Sequence, residues 1–118
     1  MFKNALITII SLAFGLGLSL EANASSDVQV CAKYQRADYS WSKAYKLKAI
    51  MVTGDELNKA TNSYNFNSYD NYLYISWDQG GYTILTLGFY EQLPYFEKEY
   101  KDQRSVTWKI KEGWNWCD

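Results

Sequence analysis

The sequence predicts a mainly β protein: a small antiparallel sheet of five strands, curled into a barrel or packed as a sandwich, with one short helix. Two observations carry this prediction. Short runs rich in aromatic and β-branched residues alternate with closely spaced turn signals, and only one segment has the pattern of a helix start. The alternative is an α+β fold in which the helix covers one face of an antiparallel sheet.

Residues 1–24 have the pattern of a cleaved signal peptide. Lys3 gives a positive end, residues 5–20 form an apolar run, and Ala22-Asn23-Ala24 supplies the small residues of a cleavage site. The run is about 16 residues long, shorter than the roughly 20 that span a bilayer. We therefore expect no stable membrane insertion, and a single domain of residues 25–118 that is periplasmic or secreted.

The chain has two cysteines, Cys31 and Cys117. In an oxidising compartment they have only one intramolecular pairing, so the sequence predicts a disulfide. In the chain-entropy model such a long closed loop contributes on the order of 4 to 5 kcal/mol to stability. There is no CxxC motif and no histidine, which argues against a catalytic or zinc-binding pair.

The first two strands are predicted at residues 28–34 and 45–52. The first run alternates weakly between apolar and polar residues, whereas the second alternates clearly. Its apolar face carries Tyr45, Leu47, Ala49 and Met51. Lysines occupy the opposite face, which predicts a strand that is buried on one side.

The helix is predicted to begin after Thr53. Thr53 as N-cap and Glu56 three positions later form a capping-box pattern, and Leu57 follows at helical spacing. Residues 62–71, rich in Asn, Ser and Tyr, have no apolar period and predict a loop pinned by Tyr64 and Phe66.

Residues 72–77 and 82–90 predict a β-hairpin around Asp78-Gln79-Gly80-Gly81. Only a loop with an odd number of residues places the apolar side chains of both strands on the same face. We predict a three-residue loop, in which Asp78 pairs with Tyr82. The inner face then carries Leu73, Ile75, Trp77, Leu85, Leu87 and Phe89. The outer face carries Tyr72, Tyr74, Ser76, Tyr82, Ile84 and Thr86.

The last strand is predicted at residues 106–110, where Val106, Trp108 and Ile110 alternate towards the core. It follows a polar connection that contains the single proline, Pro94. The tryptophans are expected in the core or against the disulfide: Trp41, Trp77, Trp108, Trp114 and Trp116.

Composition excludes several function classes. Without histidine, Ser-His-Asp and Cys-His nucleophilic sites cannot form, and a net charge of −1 gives no electrostatic footprint for nucleic acid. No phosphate-binding glycine motif or other cofactor signature is present. Only a carboxylate-based hydrolase stays open, with Asp55 and Glu56 or Asp70 and Asp78 as pairs, although these positions also suit a helix start and turns. We expect a protein that is not an enzyme.

Aromatic residues make up about a fifth of residues 25–118, and eleven are tyrosines. Tyrosines on an exposed face offer contact area with a polar tip, as protein-binding surfaces do. The predicted binding residues are Tyr64, Tyr69, Tyr72, Tyr74 and Tyr82. They favour an exported protein-binding module, such as an inhibitor or immunity protein that neutralises a toxin or lytic enzyme. A carbohydrate-binding module that stacks Tyr and Trp on sugars is the alternative, and tyrosines that only form cross-strand pairs on the sheet would have neither role.

Overall fold

The computed structural model describes residues 26–118, and the predicted signal peptide lies outside them. The elements are β1 (Ser26–Tyr34), β2 (Tyr45–Thr53), α1 (Gly54–Thr61), β3 (Asp70–Ser76), β4 (Tyr82–Phe89), β5 (Lys98–Lys101) and β6 (Thr107–Glu112). The mainly β prediction with one short helix is confirmed. The structure adds a sixth strand, β5, whose sequence of four residues carries a single apolar side chain, that of Tyr100.

The six strands form one sheet in the order β4-β3-β2-β1-β6-β5, and all neighbouring pairs are antiparallel. The first strand is therefore central, between β2 and β6. The sheet curls until its two edge strands approach each other, where an isolated backbone bridge joins Leu85 to Asp102. The result is a nearly closed barrel.

The interior of the barrel holds the main hydrophobic core. All six strands contribute to it: Val30, Ala32, Ala49, Leu73, Ile75, Leu85, Leu87, Tyr100, Trp108 and Ile110. Leu47 and Met51 are partly buried against this core, as the alternation of β2 predicts. The inward positions predicted for Trp108 and Ile110 are also confirmed.

A second core lies on the outer face of β2, β3 and β4, under α1. It contains Val52, Leu57, Tyr72, Tyr74 and Ile84. The helix begins with the predicted capping box, since the backbone N–H of Glu56 donates to Thr53 Oγ1 at 3.1 Å and that of Thr53 donates to Glu56 Oε1 at 2.7 Å. Leu57 is completely buried and fixes α1 on the sheet.

The β3–β4 hairpin has an odd loop of five residues, because Ser76 pairs with Tyr82. The predicted loop, in which Asp78 pairs with Tyr82, is two residues too short. Because both loops have an odd number of residues, the same side chains share a face, and Leu73, Ile75 and Leu87 point inwards as predicted. Phe89 does not. A β-bulge at Leu87 adds one residue to β4 opposite Asn71 and Tyr72. Beyond the bulge each side chain of β4 points to the face opposite to the one predicted, so Phe89 is 61% exposed.

The predicted disulfide between Cys31 and Cys117 is present, with the two Cα atoms 5.5 Å apart. It holds the C-terminal tail against the outer face of β1. The tail is also fixed by Trp114, whose indole N–H donates to the carbonyl of Leu47 at 3.1 Å. No helix among residues 26–118 is long and apolar enough to cross a membrane.

Candidate functional site

Two of the five predicted binding tyrosines, Tyr72 and Tyr74, are each only 6% exposed. The prediction that they face solvent is wrong, because α1 and the following loop cover their side of the sheet. The Tyr72 hydroxyl accepts a 3.0 Å hydrogen bond from the backbone N–H of Asn67, and its ring lies edge-on to Phe66. Both tyrosines hold the helix layer on the barrel.

The other three predicted tyrosines are exposed, but Tyr82 lies far from Tyr69. Tyr82 begins β4 and stacks on Tyr74, whereas Tyr69 precedes the first residue of β3. The seven residues of β3 separate these positions by roughly 20 Å. Tyr64, 98% exposed, lies in the loop after α1. Tyr64, Tyr69 and Tyr82 therefore do not form one patch with Tyr72 and Tyr74, and a role for them in binding stays a prediction.

A denser group of exposed aromatic residues lies in the connection from β4 to β5. We call residues 89–96 the capping loop. Its exposed side chains are Phe89 (61%), Tyr90 (69%), Tyr95 (80%) and Phe96 (85%). The rings of Phe89 and Tyr90 contact each other, with centroids 4.2 Å apart. Four large aromatic side chains thus face solvent within eight residues.

The capping loop is anchored at several points although its rings are exposed. Leu93 packs on the interior core and so covers one end of the barrel. The carbonyl of Glu91 accepts from Asn71 Nδ2 at 2.7 Å, and the carbonyl of Pro94 accepts from the backbone N–H of Glu112 at 2.7 Å. Lys98 Nζ lies 3.3 Å from Glu91 Oε1. These contacts fix the backbone from which the aromatic side chains project.

Two residues at the start of this loop have positive φ angles. Gly88 has φ +119°, where glycine is favoured, and Tyr90 has φ +54°. A tyrosine in the left-handed region costs on the order of 1 kcal/mol. Strained residues that the surrounding contacts hold in place are concentrated at binding sites. Tyr39, Asn62, Ser105 and Trp116 also have positive φ angles, so the backbone of Tyr90 supports the loop as a candidate only together with its exposed aromatic side chains.

Sequence reasoning missed the capping loop. It treated the segment around Pro94 as a polar connection and placed Phe89 inside. The available signal was the two adjacent aromatic pairs, Phe89-Tyr90 and Tyr95-Phe96. Neighbouring residues of an extended chain point to opposite sides, so both members of such a pair face one core only where a second layer covers the other side.

The carboxylates proposed from the sequence have structural positions. Glu56 closes the capping box, and Asp55 lies 3.2 Å from Lys59 in a solvent-exposed ion pair. Asp70 begins β3 and Asp78 follows its end, so they are roughly 20 Å apart, farther than the two carboxylates of a glycosidase. Within residues 26–118 no group of three His, Cys, Asp or Glu residues could hold a metal ion.

Comparisons with known proteins identify no relative of this chain. No protein-family model, curated protein or solved structure matches the chain. Function is therefore inferred from the residues of this chain alone, and above all from the capping loop.

Proposed function

We propose that the protein is an exported binding module that recognises another protein outside the cytoplasm through its capping loop. The observation that carries the proposal is the loop itself: four aromatic side chains, 61 to 85% exposed, on an anchored backbone. An inhibitor or immunity protein that neutralises a toxin or lytic enzyme is the class that we favour.

Two properties of the capping loop favour binding: its apolar surface is exposed, and its backbone is already ordered. Exposed clusters of apolar side chains are uncommon on monomers and mark interaction surfaces, and aromatic residues are enriched among those that dominate binding energy. Ordering a mobile loop on binding reduces affinity. The hydrogen bonds to Glu91 and Pro94 remove much of that cost before the partner arrives.

The loop at residues 62–71 is less suited to carbohydrate than its composition indicates. Sugar binding needs polar side chains that are free to bond hydroxyl groups, and three amides on or beside this loop are engaged instead in the protein's own structure. Asn58 bonds both backbone groups of Phe66, and Asn67 Oδ1 accepts from the backbone N–H of Tyr69 at 3.1 Å. Asn71 holds the capping loop. Protein binding is therefore favoured over carbohydrate binding.

Export is supported by the disulfide, since such bonds persist in oxidising compartments. We propose that residues 1–24 are removed during export and that the mature protein begins at Ser25. The intact mass of protein recovered from the periplasmic and extracellular fractions tests both points. An unprocessed N-terminus, or two free thiols in exported material, would contradict the proposal.

The binding role is tested by affinity capture from periplasmic and extracellular fractions with three proteins. These are the wild type, Tyr95→Ser with Phe96→Ser, and a control with Tyr39→Ser and Tyr64→Ser. The control removes two aromatic side chains that are 80% and 98% exposed outside the capping loop. A partner captured by wild type and control but not by the loop variant supports the proposal.

Equal capture by all three proteins would place the binding surface elsewhere. Binding of the wild type to purified oligosaccharides, lost in the loop variant, would favour carbohydrate recognition. Melting temperatures close to that of the wild type would show that the variants are folded.

A further inference from the structure

Five lysines share the outer face of three adjacent strands, β2, β1 and β6. The strand register places Cys31 opposite both Lys46 and Lys111, and Lys33 opposite Lys109. Residues paired across strands project from the same face, and the alternate residues of β1 point into the barrel. We call this set the lysine face: Lys33, Lys46, Lys48, Lys109 and Lys111.

Most of the positive charge on the lysine face has no carboxylate partner. Lys33 Nζ lies 3.2 Å from Glu97 Oε2, but within residues 26–118 no salt bridge includes any of the other four lysines. Lys109 Nζ lies over the ring of Trp41, 4.3 Å from its centroid, and Lys111 donates to the carbonyl of Asn115. Both side chains are thus held in position while they keep their charge.

The lysine face borders the capping loop. Glu97, the partner of Lys33, directly follows Phe96, and Pro94 is bonded to the end of β6. Trp116, 89% exposed, projects from the tail that the disulfide holds on this face. The lysine face and the capping loop are therefore adjacent where Glu97 follows Phe96.

We infer that the lysine face binds an acidic surface on the same protein partner that the capping loop recognises. This inference rests on the proposed function and adds the chemistry of the partner. Complementary charge steers association and fixes the orientation of a complex, while aromatic side chains supply most of the binding energy.

The surroundings of the lysine face favour a compact acidic patch over an extended polyanion or a membrane. Glu99 pairs with Lys109 on the neighbouring strand, and Asp118 follows the disulfide. A long polyanion or a planar anionic bilayer would also lie against these acids, in a protein whose net charge is −1. Lys46 and Lys48 on β2 are separated from β5 by β1 and β6, a distance of roughly 14 Å. Charges interact over about 8 Å at physiological salt, so a compact partner centred on these two lysines avoids the acid on β5.

A hexaglutamate peptide is the probe, because it presents carboxylates over a short length. Its affinity is measured at low salt for the wild type, for Lys46→Gln, Lys48→Gln and Lys111→Gln combined, and for a control of Lys59→Gln, Lys101→Gln and Arg104→Gln. Both variants lose three positive charges, but only the first loses them from the lysine face. We expect the affinity to fall about tenfold in the first and less than about twofold in the control. Peptide-induced amide shifts should be largest at residues 46, 48 and 111 and at the Trp116 indole.

Equal losses in both variants, or shifts spread over the whole surface, would overturn the inference. Tighter binding of the wild type to dextran sulfate, or to vesicles of phosphatidylcholine and phosphatidylglycerol, with shifts at the same lysines, would replace the acidic protein with a glycan or lipid. Because these measurements do not use the capping-loop variant, a negative result leaves the capture experiment to decide the proposed function separately.

Discussion

The side-chain amide of Gln103 closes the barrel by bonding the backbone of Ile84. Its Oε1 accepts from the Ile84 N–H at 2.8 Å, and its Nε2 donates to the carbonyl of Tyr82 at 2.9 Å. One side chain therefore satisfies two backbone groups on the edge of β4. Among residues 26–118, one isolated backbone bridge, between Leu85 and Asp102, accompanies it at this edge.

Gln103→Ala should lower the free energy of unfolding by about 1 to 2 kcal/mol, because it leaves the Ile84 N–H without its partner. Exchange of the Ile84 amide with solvent should accelerate in the same variant. Gln79→Ala, an exposed glutamine in the hairpin loop, is the control and should change stability by less than about 0.5 kcal/mol. The same urea midpoint for both variants would show that the amide does not close the barrel.

Gly54→Ala should destabilise the protein by about 1 to 3 kcal/mol. A Cβ atom at Gly54 would lie 1.7 Å from the carbonyl oxygen of Asn67, so the loop after α1 would have to move. Asp55→Ala tests the neighbouring exposed position and should cost less than about 1 kcal/mol, since it removes only a surface ion pair. Urea unfolding of the two variants decides the matter, and similar midpoints would mean that the loop yields easily.

Burial, with a smaller contribution from the neighbouring Tyr82, raises the pKa of Tyr74 to about 12. In the unfolded chain the same hydroxyl ionises near pH 10. Between these values the unfolded chain has released the proton and the folded protein has not, so stability is complete below about pH 10 and falls as the pH rises towards 12. At about pH 11.5 the wild type should have lost about 2 kcal/mol more than Tyr74→Phe, relative to pH 8.

Unfolding of both proteins by urea at the two pH values measures this difference. Tyr100, whose pKa burial also raises, contributes equally to both proteins. Parallel losses of stability in wild type and variant would show that the Tyr74 hydroxyl ionises as freely in the folded protein as in the unfolded chain.

Tyr90→Gly should abolish partner binding while stability is maintained or increases by about 1 kcal/mol, because glycine relieves the positive φ angle. Tyr39→Gly is the matched control, since Tyr39 has φ +69° and is 80% exposed outside the capping loop. It should give a similar stability change with unchanged binding. Melting temperatures and affinity for the captured partner provide the comparison, and full binding by Tyr90→Gly would exclude this side chain from the interface.

Local sequence signals predicted local structure well. Thr53 and Glu56 form their capping box through contacts three residues apart, so the helix start could be predicted without knowledge of the fold. The alternation of β2 and of the hairpin identified the inner face for the same reason. Phe89 was misplaced because a bulge at Leu87 reverses the alternation, and no local signal marks that bulge.

The candidate site depends on tertiary contacts that periodicity does not contain. Alternation distinguishes the two faces of a strand, but it does not show that a helix covers the second face, and so Tyr72 and Tyr74 were predicted to be exposed. β5 was missed because it has one apolar residue, Tyr100. Without β5, the sequence did not predict where the connection after β4 ends. The exposed aromatic side chains from Phe89 to Phe96 could therefore not be assigned to one loop.

The central position of β1 has a consequence for the kinetics of folding. β1 pairs with β6 through residues such as Val30 and Glu112, which are about 80 positions apart in the chain. Such non-local pairing slows folding to the millisecond-to-second range. If the protein is exported amino end first, as proposed, β1 emerges early and waits with one edge unpaired until β6 follows. That unpaired edge would then be exposed to aggregation, and a chaperone that covers it would protect the chain.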